Sequence, residues 1–417
     1  MSPEAPQPPR PANEMLVRTG ELPVQESAAG DGERLAGAEG PQASPGTGQG
    51  GLLEAIWWRE RPFPAGGVLL WPLSAAEWLF RAGAALRGAL YSGGVLRAER
   101  AGVPVVSVGN LAAGGAGKTP VAMAIAARLR SRGRRVAVLS RGYGATRSHA
   151  RVVSDGKELL LSAEEGGDEA VLVARRLPGV AVLCGPRRAE LARLARGALG
   201  ADVLVLDDGF QHRALARDLD VVVLDAGNPF GNGHLLPRGP NREPRHALRR
   251  AGLVWLSRVE GASPEGLETL RELAREATGH EPVESRHRPV DLLDGRLRES
   301  FGLGALRGRP VRLLSAIARP AAFRRTVEAL GAVVTGEHRY RDHHRFRAGE
   351  LREVLGAAEG SAGGEWVVTT EKDAVRLGPE AAGHPRLRVL RIEAQVVRGE
   401  EVLERALDSA LARFGPR

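Results

Sequence analysis

The chain has 417 residues, enough for two domains with appendages, and 43% of it is hydrophobic, so a full core can form. Its one cysteine, Cys184, excludes an internal disulfide and any cysteine-based zinc site, and suits a reducing cytosol. The net charge is +9 and the pI about 10.6, an excess that is mostly arginine; such a surface fits nucleic acid, anionic lipid or a phosphorylated substrate, but no nucleic-acid module or dense Lys/Arg tract is recognisable, which weighs against nucleic acid.

Residues 1–50 are rich in Pro, Gly, Ala, Glu and Ser and read as a disordered tail without a secretion signal. An N-terminal segment over 51–98 follows. Between Trp57 and Tyr91 stand four of the six tryptophans. The uncharged run Pro62 to Ala76 is too short and too broken by Pro and Gly to span a bilayer. After Pro72, the apolar positions Ala76, Leu79, Phe80, Gly83, Leu86 and Leu90 share one face of a predicted helix, with Glu77 and Arg81 away from it. Tryptophan and arginine beside an amphipathic helix fit a segment lying in a membrane interface. They equally fit a helix packed on the core, and spacing alone does not choose.

Val103–Ser107 reads as a short buried strand, followed by a glycine-rich loop and a helical pattern from Pro120 to Arg132. Strand, glycine loop, Lys118-Thr119, helix is the build of a loop that holds phosphate. Glycine lets backbone N–H groups approach phosphate oxygens, and the helix start adds the positive end of its dipole. The loop comprises Ala112, Ala113, Gly114, Gly115, Ala116, Gly117, Lys118 and Thr119. Ala112 stands where the strict motif has Gly. Lys118 is placed to reach the β- and γ-phosphates, and the Thr119 hydroxyl to take Mg²⁺.

Apolar strands and helices then alternate. Strands are predicted over 135–140, 180–183, 203–206, 221–224 and 253–257, and helices over 167–176, 187–199 and 265–278. This rhythm implies a mostly parallel sheet covered on both faces, with ligands at the edge where the strands end. A P-loop core over 99–284 is followed by a stretch at 285–310, read as a linker with a hairpin around Asp294-Gly295. A second, smaller α/β unit occupies 311–417. Its predicted strands are 311–315, 332–336, 366–369 and 387–392, and its helices 321–330, 349–357 and 400–413.

Asp207 and Asp208 end an apolar strand, where paired acids coordinate Mg²⁺ opposite the Thr of a phosphate loop; the plainer reading is an Asp-Gly turn. Asp168 and Glu169 follow Gly166-Gly167 at a helix start, and by spacing alone read as a cap. A kinase nonetheless needs one carboxylate to accept the proton of the attacking hydroxyl. Asp342-His343-His344 sits among arginines: a solvated basic loop, a carboxylate–imidazole pair across a domain cleft, or a phosphate-binding cluster. Arg141-Gly142-Tyr143-Gly144 and the loop 227–234 both follow strands at the same edge and are too glycine-rich for core; they either shape an acceptor pocket or merely turn.

In this order, SVGNLAAGGAGKTPV, VLSRGYG, GDE at 167–169, LDDGFQH, LDAGNPFGNGHLLPRGPNREP, Asp342–His344 and VTTEKDAVRL resemble the tetraacyldisaccharide 4′-kinases of lipid A synthesis over residues 55–395. Ala112 and Ala116 stand where that family often has Thr. The resemblance implies a P-loop kinase that moves the γ-phosphate of ATP to the 4′-hydroxyl of a lipid-linked glucosamine disaccharide 1-phosphate. It implies ATP and Mg²⁺ at Lys118 and Thr119, with Asp207, Asp208 and Glu169 around the metal. Asp168 becomes the general base, assisted by the histidine after Asp342, which is His343 and not His344. It also implies a peripheral enzyme on the cytoplasmic face of the bacterial inner membrane, docked through the Trp-rich helix, with no obligate protein partner. The rival readings are a P-loop kinase of a small soluble substrate and a membrane-bound switch ATPase.

Overall fold

The computed structural model describes residues 56–58, 71–142, 150–360 and 364–414. The tail at 1–50, and Tyr143 and Gly144, lie outside the described residues. Twelve strands form one sheet: β1 (Val105–Gly109), β2 (Val136–Ser140), β3 (Arg151–Ser154), β4 (Ala181–Cys184), β5 (Val203–Asp207), β6 (Leu219–Asp225), β7 (Leu253–Ser257), β8 (Val283–Asp294), β9 (Pro310–Ser315), β10 (Val333–Arg339), β11 (Trp366–Thr370) and β12 (Leu387–Arg398). Their order across the sheet is β10-β9-β11-β12-β8-β7-β6-β1-β5-β2-β4-β3.

The sheet has two parallel blocks. In the first, β4, β2, β5, β1, β6, β7 and the start of β8 run parallel, with β3 antiparallel at the edge. β1, β2, β4, β5 and β7 are buried throughout, which explains their unbroken Val/Leu character. In the second block, β12, β11, β9 and β10 run parallel. The blocks meet at one antiparallel seam, where β12 pairs with β8 from Arg388↔Asp294 down to Arg398↔Glu284.

That seam fixes where the site lies. Only the first three residues of β8 pair with β7, so the rest of β8 extends past the first block's carboxyl edge. β11 pairs with the opening residues of β12, at the far end of that extension. The strands of the second block therefore run back toward the first, and the two carboxyl edges face each other. The stretch 285–310, expected as a linker, holds most of this strand. It escaped the apolar pattern because the middle of β8 is only partly buried and reads Arg286-His287-Arg288. A turn does follow at Asp294, with Leu293 bridged antiparallel to Ser300.

Eight helices longer than eight residues flank the described sheet: α1 (Trp71–Ser92), α2 (Lys118–Ser131), α3 (Asp168–Arg176), α4 (Arg188–Gly197), α5 (Pro264–Thr278), α6 (Pro320–Ala329), α7 (Ala348–Glu359) and α8 (Glu400–Ala412). α2 and α3 pack with β1, β5 and Trp255 in the largest apolar cluster, which also takes Leu403 and Leu407 of α8. Each such side chain contributes about 1.5–3 kcal/mol on burial. The second block has its own core around Leu313, Phe323, Val327 and Val368.

α1 differs from the others in burying no residue. Trp71, Trp78, Leu79 and Leu86 are 72%, 69%, 77% and 63% exposed. Glu77, on the opposite side, faces the body: its carboxylate accepts the Leu235 amide at 2.9 Å and pairs with His234 at 3.2 Å. The predicted face is divided: Ala76 and Leu90 are partly buried, with Leu73, Ala84, Gly88 and Tyr91, while Leu79, Gly83 and Leu86 face outward. No described helix is long and apolar enough to cross a membrane.

Candidate active site at the facing carboxyl edges

The phosphate loop leaves β1 and turns into α2 at Lys118. Gly114 and Gly117 take φ of 109° and 82°, values open to glycine, and Gly117 caps the helix. The loop is braced from outside: Ser257 Oγ donates to the Ala116 carbonyl at 2.7 Å, and the Arg258 guanidinium donates to the Gly115 carbonyl. Asn110, where the strict motif has no fixed residue, is buried and donates to the Ala112 carbonyl.

β5 lies beside β1 and delivers the two acids. Thr119 Oγ1 donates to Asp207 Oδ2 at 2.9 Å, and Lys118 Nζ stands 3.4 Å from Asp208 Oδ1. Asp208 adopts a left-handed φ of 56°, which short polar side chains tolerate, and Arg242 Nη1 reaches both its oxygens at 2.9 Å. The neighbours titrate apart. Burial, with Glu169 adding to it, pushes Asp207 up to about 7 against the pull of Lys118. Burial acts the same way on Asp208, but Lys118 and Arg242 overcome it and hold that carboxyl well below its ordinary value.

Asp207 Oδ1 is buried and takes no hydrogen bond. A buried lone carboxylate oxygen beside a Thr hydroxyl is the donor type Mg²⁺ takes. Among the described residues no cluster of three His, Cys, Asp or Glu side chains forms a self-sufficient metal cage. The donor set therefore fits a cation shared with water and phosphate oxygens, as Mg²⁺ usually is.

α3 opens at Asp168 without a side-chain cap, Gly167 preceding it. Asp168 does not serve as the cap that its spacing fits; it is 6% exposed and meets the second block. His343 Nδ1 lies 2.8 Å from Asp168 Oδ2, and Arg376 Nη1 3.6 Å from the same oxygen. Burial would raise the Asp168 carboxyl, but the His343 hydrogen bond and the Lys372 and Arg376 charges bring it below its ordinary value. The chain around His343 takes φ of 61°, and its amide donates to Asp342 Oδ1 at 3.1 Å. His344 turns away: it stacks on Tyr340 at 4.6 Å between centroids and reaches Glu350 at 2.9 Å.

Glu169 is partly exposed and lies 3.9 Å from Lys372 Nζ. Lys118, Thr119, Asp207, Asp208, Asp168 and His343 thus gather between the two edges, with Glu169 on the rim. Sequence reasoning passed over Arg242, which only its place in the quoted NREP stretch could have flagged, and left Lys372 and Arg376 without a role. The loop 227–234 grips the N-terminal segment instead of turning idly: Asn232 takes the Trp57 carbonyl at 2.8 Å through its amide, and Gly231 follows a φ of 56° beneath it.

The two blocks also meet at charges. Asp225, at the end of β6, binds Arg258 and, at 2.8 Å, Arg319 from the start of α6. Burial leads in lowering Arg258 below its usual value, with Asp225 opposing.

Comparison with known proteins bears on the family and the fold. The family model described as Tetraacyldisaccharide-1-P 4'-kinase matches residues 67–412. The chain is similar to the Tetraacyldisaccharide 4'-kinase of Anaeromyxobacter sp. (strain K), 70% identical over 362 residues, covering 86% of this chain and 96% of that one. It is also similar to the Tetraacyldisaccharide 4'-kinase of Syntrophus aciditrophicus (strain SB), 42% identical over 308 residues, 72% of this chain and 82% of that one. Among solved structures, the crystal structure of "apo" form LpxK from Aquifex aeolicus in complex with ATP superposes with a TM-score of 0.65 at 29% identity, over 82% of this chain and 99% of that chain. An α/β sheet with a phosphate loop, a match along most of the chain and relatives this similar lead to one conclusion: the chain belongs to the tetraacyldisaccharide-1-P 4'-kinase family.

Proposed function

We propose that the facing carboxyl edges transfer the γ-phosphate of ATP to the 4′-hydroxyl of a tetraacylated glucosamine disaccharide 1-phosphate, the lipid A 4′-kinase reaction. The observation that carries this is the approach of His343 to Asp168, 2.8 Å, opposite a loop that presents Lys118 and Thr119. The acceptor hydroxyl gives its proton to Asp168 as its oxygen forms the new bond to Pγ. The bond from Pγ to the bridging oxygen breaks, and ADP leaves with that electron pair. Asp168 is suited to this because its carboxyl is held below its ordinary value, with His343 beside it. Lys118 sits on the charge that develops on the transferring group, and positioning and charge neutralisation are the main demands of such a transfer.

Thr119 and Asp207 would hold Mg²⁺, with Asp208 and Glu169 nearby; bound there, it would neutralise phosphate charge. Asp208 meanwhile anchors Lys118 and Arg242. Loop residues Ala112 to Gly117 would surround the phosphates with backbone N–H groups. The division into an N-terminal helical segment, a kinase core and a smaller C-terminal unit belongs to the same reading, with the acceptor entering between the last two.

The acceptor is embedded in a membrane, and α1 is the surface suited to meet it. Its outward residues are Trp71, Trp78, Leu79 and Leu86, and Arg81 stacks over Trp78 at 5.4 Å. This is the pattern of a helix lying at the headgroup boundary of a cytoplasmic membrane face. The decisive assay is incubation with γ-labelled ATP and the disaccharide-1-phosphate lipid in detergent. Label on the lipid at the 4′ position is expected. Transfer to a soluble sugar or nucleotide instead, or hydrolysis that needs a protein partner and yields no lipid product, would overturn the reading.

A further inference from the structure

Three segments of the second block meet at the stretch 370–376, and at its end stands an arginine to which the mechanism above gives no step. Thr370 caps a short turn at 371–374, donating to Asp373 Oδ2 at 2.7 Å, and Asp373 is buried and accepts the Ala316 amide at 3.2 Å. The side chain of Arg376 is 7% exposed. Its Nη2 donates to Asp373 Oδ1 and, at 3.1 Å, to the Ala316 carbonyl, and the guanidinium carbon lies 5.7 Å from the centre of the Phe346 ring. The same Ala316 carbonyl accepts the His343 amide at 3.3 Å. Arg376 is thus built into the hub that places His343.

The rest of the guanidinium faces the first block. Nη1 stands 3.6 Å from Asp168 Oδ2, an ion pair too long for a hydrogen bond. Nη1 and Nε are both buried, and neither has a hydrogen-bond partner. Burying bare donors works against folding, and an apolar side chain of similar length would fill the place without that cost. Asp373 does not call for them either, since Thr370 and the Ala316 amide already serve both its oxygens. What the guanidinium supplies is one fixed positive charge between two carboxylates, Asp373 on its own block and Asp168 on the other. At Asp168, His343 Nδ1 at 2.8 Å and Arg376 Nη1 converge on Oδ2. Oδ1 accepts the Glu169 amide at 3.0 Å and keeps a second lone pair for a hydroxyl proton.

We propose that Arg376 is a positioning residue for the transfer: anchored by Asp373 and the Ala316 carbonyl, it draws Asp168 Oδ2 toward the second block and so turns Oδ1 to the acceptor hydroxyl. This rests on the reading of Asp168 as base. His343 and Arg376 then hold one oxygen from two directions. A guanidinium keeps its charge at every working pH, so its pull does not depend on which His343 nitrogen carries a proton.

The test is steady-state kinetics on the full chain with γ-labelled ATP and the disaccharide-1-phosphate lipid. Arg376→Met should lower kcat by roughly 10- to 100-fold with KM for ATP within about twofold, an effect of the size general-base alignment commands. Arg376→Lys, which keeps the charge, should recover part of the loss. In an Asp168→Ala background, Arg376→Met should cost no more than about twofold further, because the group it orients is gone. Wild-type kcat in Arg376→Met, a loss carried by KM for ATP alone, or an equal further loss in the Asp168→Ala background would overturn the proposal. If Arg376→Met does not fold, Arg376→Met combined with Asp373→Asn removes both charges of the buried pair and gives the same readouts against Asp373→Asn alone. A wild type that labels no lipid would overturn the kinase reading and this inference with it. A wild type that labels lipid no faster than Arg376→Met would overturn this inference alone.

Discussion

The two edges of the cleft are built differently. The first block's edge is local: β1, the loop and α2 are one continuous segment, and the fully buried strand β5 next to it delivers Asp207 and Asp208. Its strands are apolar on both faces, so the polar residues stand out at their ends. The second block's edge is assembled from three separated segments: Ala316, buried and tied through its amide to Asp373, and the partly exposed His343 and Lys372, tied by ion pairs. One edge is shaped by backbone geometry and the other by contacts between charged side chains. The glycine loop with Lys118 and Thr119 thus lies on the first block, and the His343 side chain that meets Asp168 comes from the half that the β8–β12 seam carries.

The largest expected effects separate the two edges from the protein's stability. Lys118→Ala and Asp168→Ala should each reduce label transfer to the lipid by about 10²–10⁴-fold. Their melting temperatures should stay close to wild type. Full activity in Asp168→Ala would remove it as base and dissolve the distinction between the edges.

Next in size is His343→Ala, with a loss of roughly 10- to 100-fold and a shifted pH profile. His343 lowers the Asp168 carboxyl, so removing it raises that carboxyl toward the value burial dictates. The ionised form is then lost at higher pH, and the acid limb of kcat/KM should move upward. An unmoved limb would mean the second edge does not govern the base.

The first edge offers a metal test. Asp207 is pushed up to about 7. A cation requires the ionised carboxylate, so protons compete below that pH and not above it. Mg²⁺ affinity, followed by calorimetry without nucleotide, should weaken up to tenfold per pH unit below about 7. An Asp207→Asn variant should abolish that dependence. The smallest effect concerns α1: Trp78→Ser with Leu86→Ser should weaken partitioning onto anionic vesicles by about tenfold or more, given about 1.5–3 kcal/mol per buried side chain. Unchanged partitioning would leave the exposed side of α1 without a lipid role.

Much of this was readable from the chain alone, for physical reasons. Helices α2 to α8 fall within a few residues of their predicted spans, since each combines apolar periodicity with a start or stop signal. The phosphate loop announces itself because glycine spacing, Lys and Thr must be contiguous. β3 was missed because Arg151–Ser154 is short and only half-buried. β8 was missed because its polar middle hides a strand held by pairing more than by burial. The meeting of Asp168 with His343 spans 175 positions, and no local pattern encodes it; only the family likeness pointed there. Arg376 was invisible as a functional group because a lone arginine after a strand is usually solvated. The apolar stripe of α1 was legible, but which side packs was not, since that depends on where Leu235 places its amide.

That attachment has a consequence for how α1 is held. A greasy seam would loosen when lipid tails offered equal company. A carboxylate moored to an amide and an imidazole grips harder as its surroundings become less polar. Glu77 thus sets the rolling angle of α1 and keeps Trp71 and Trp78 turned outward.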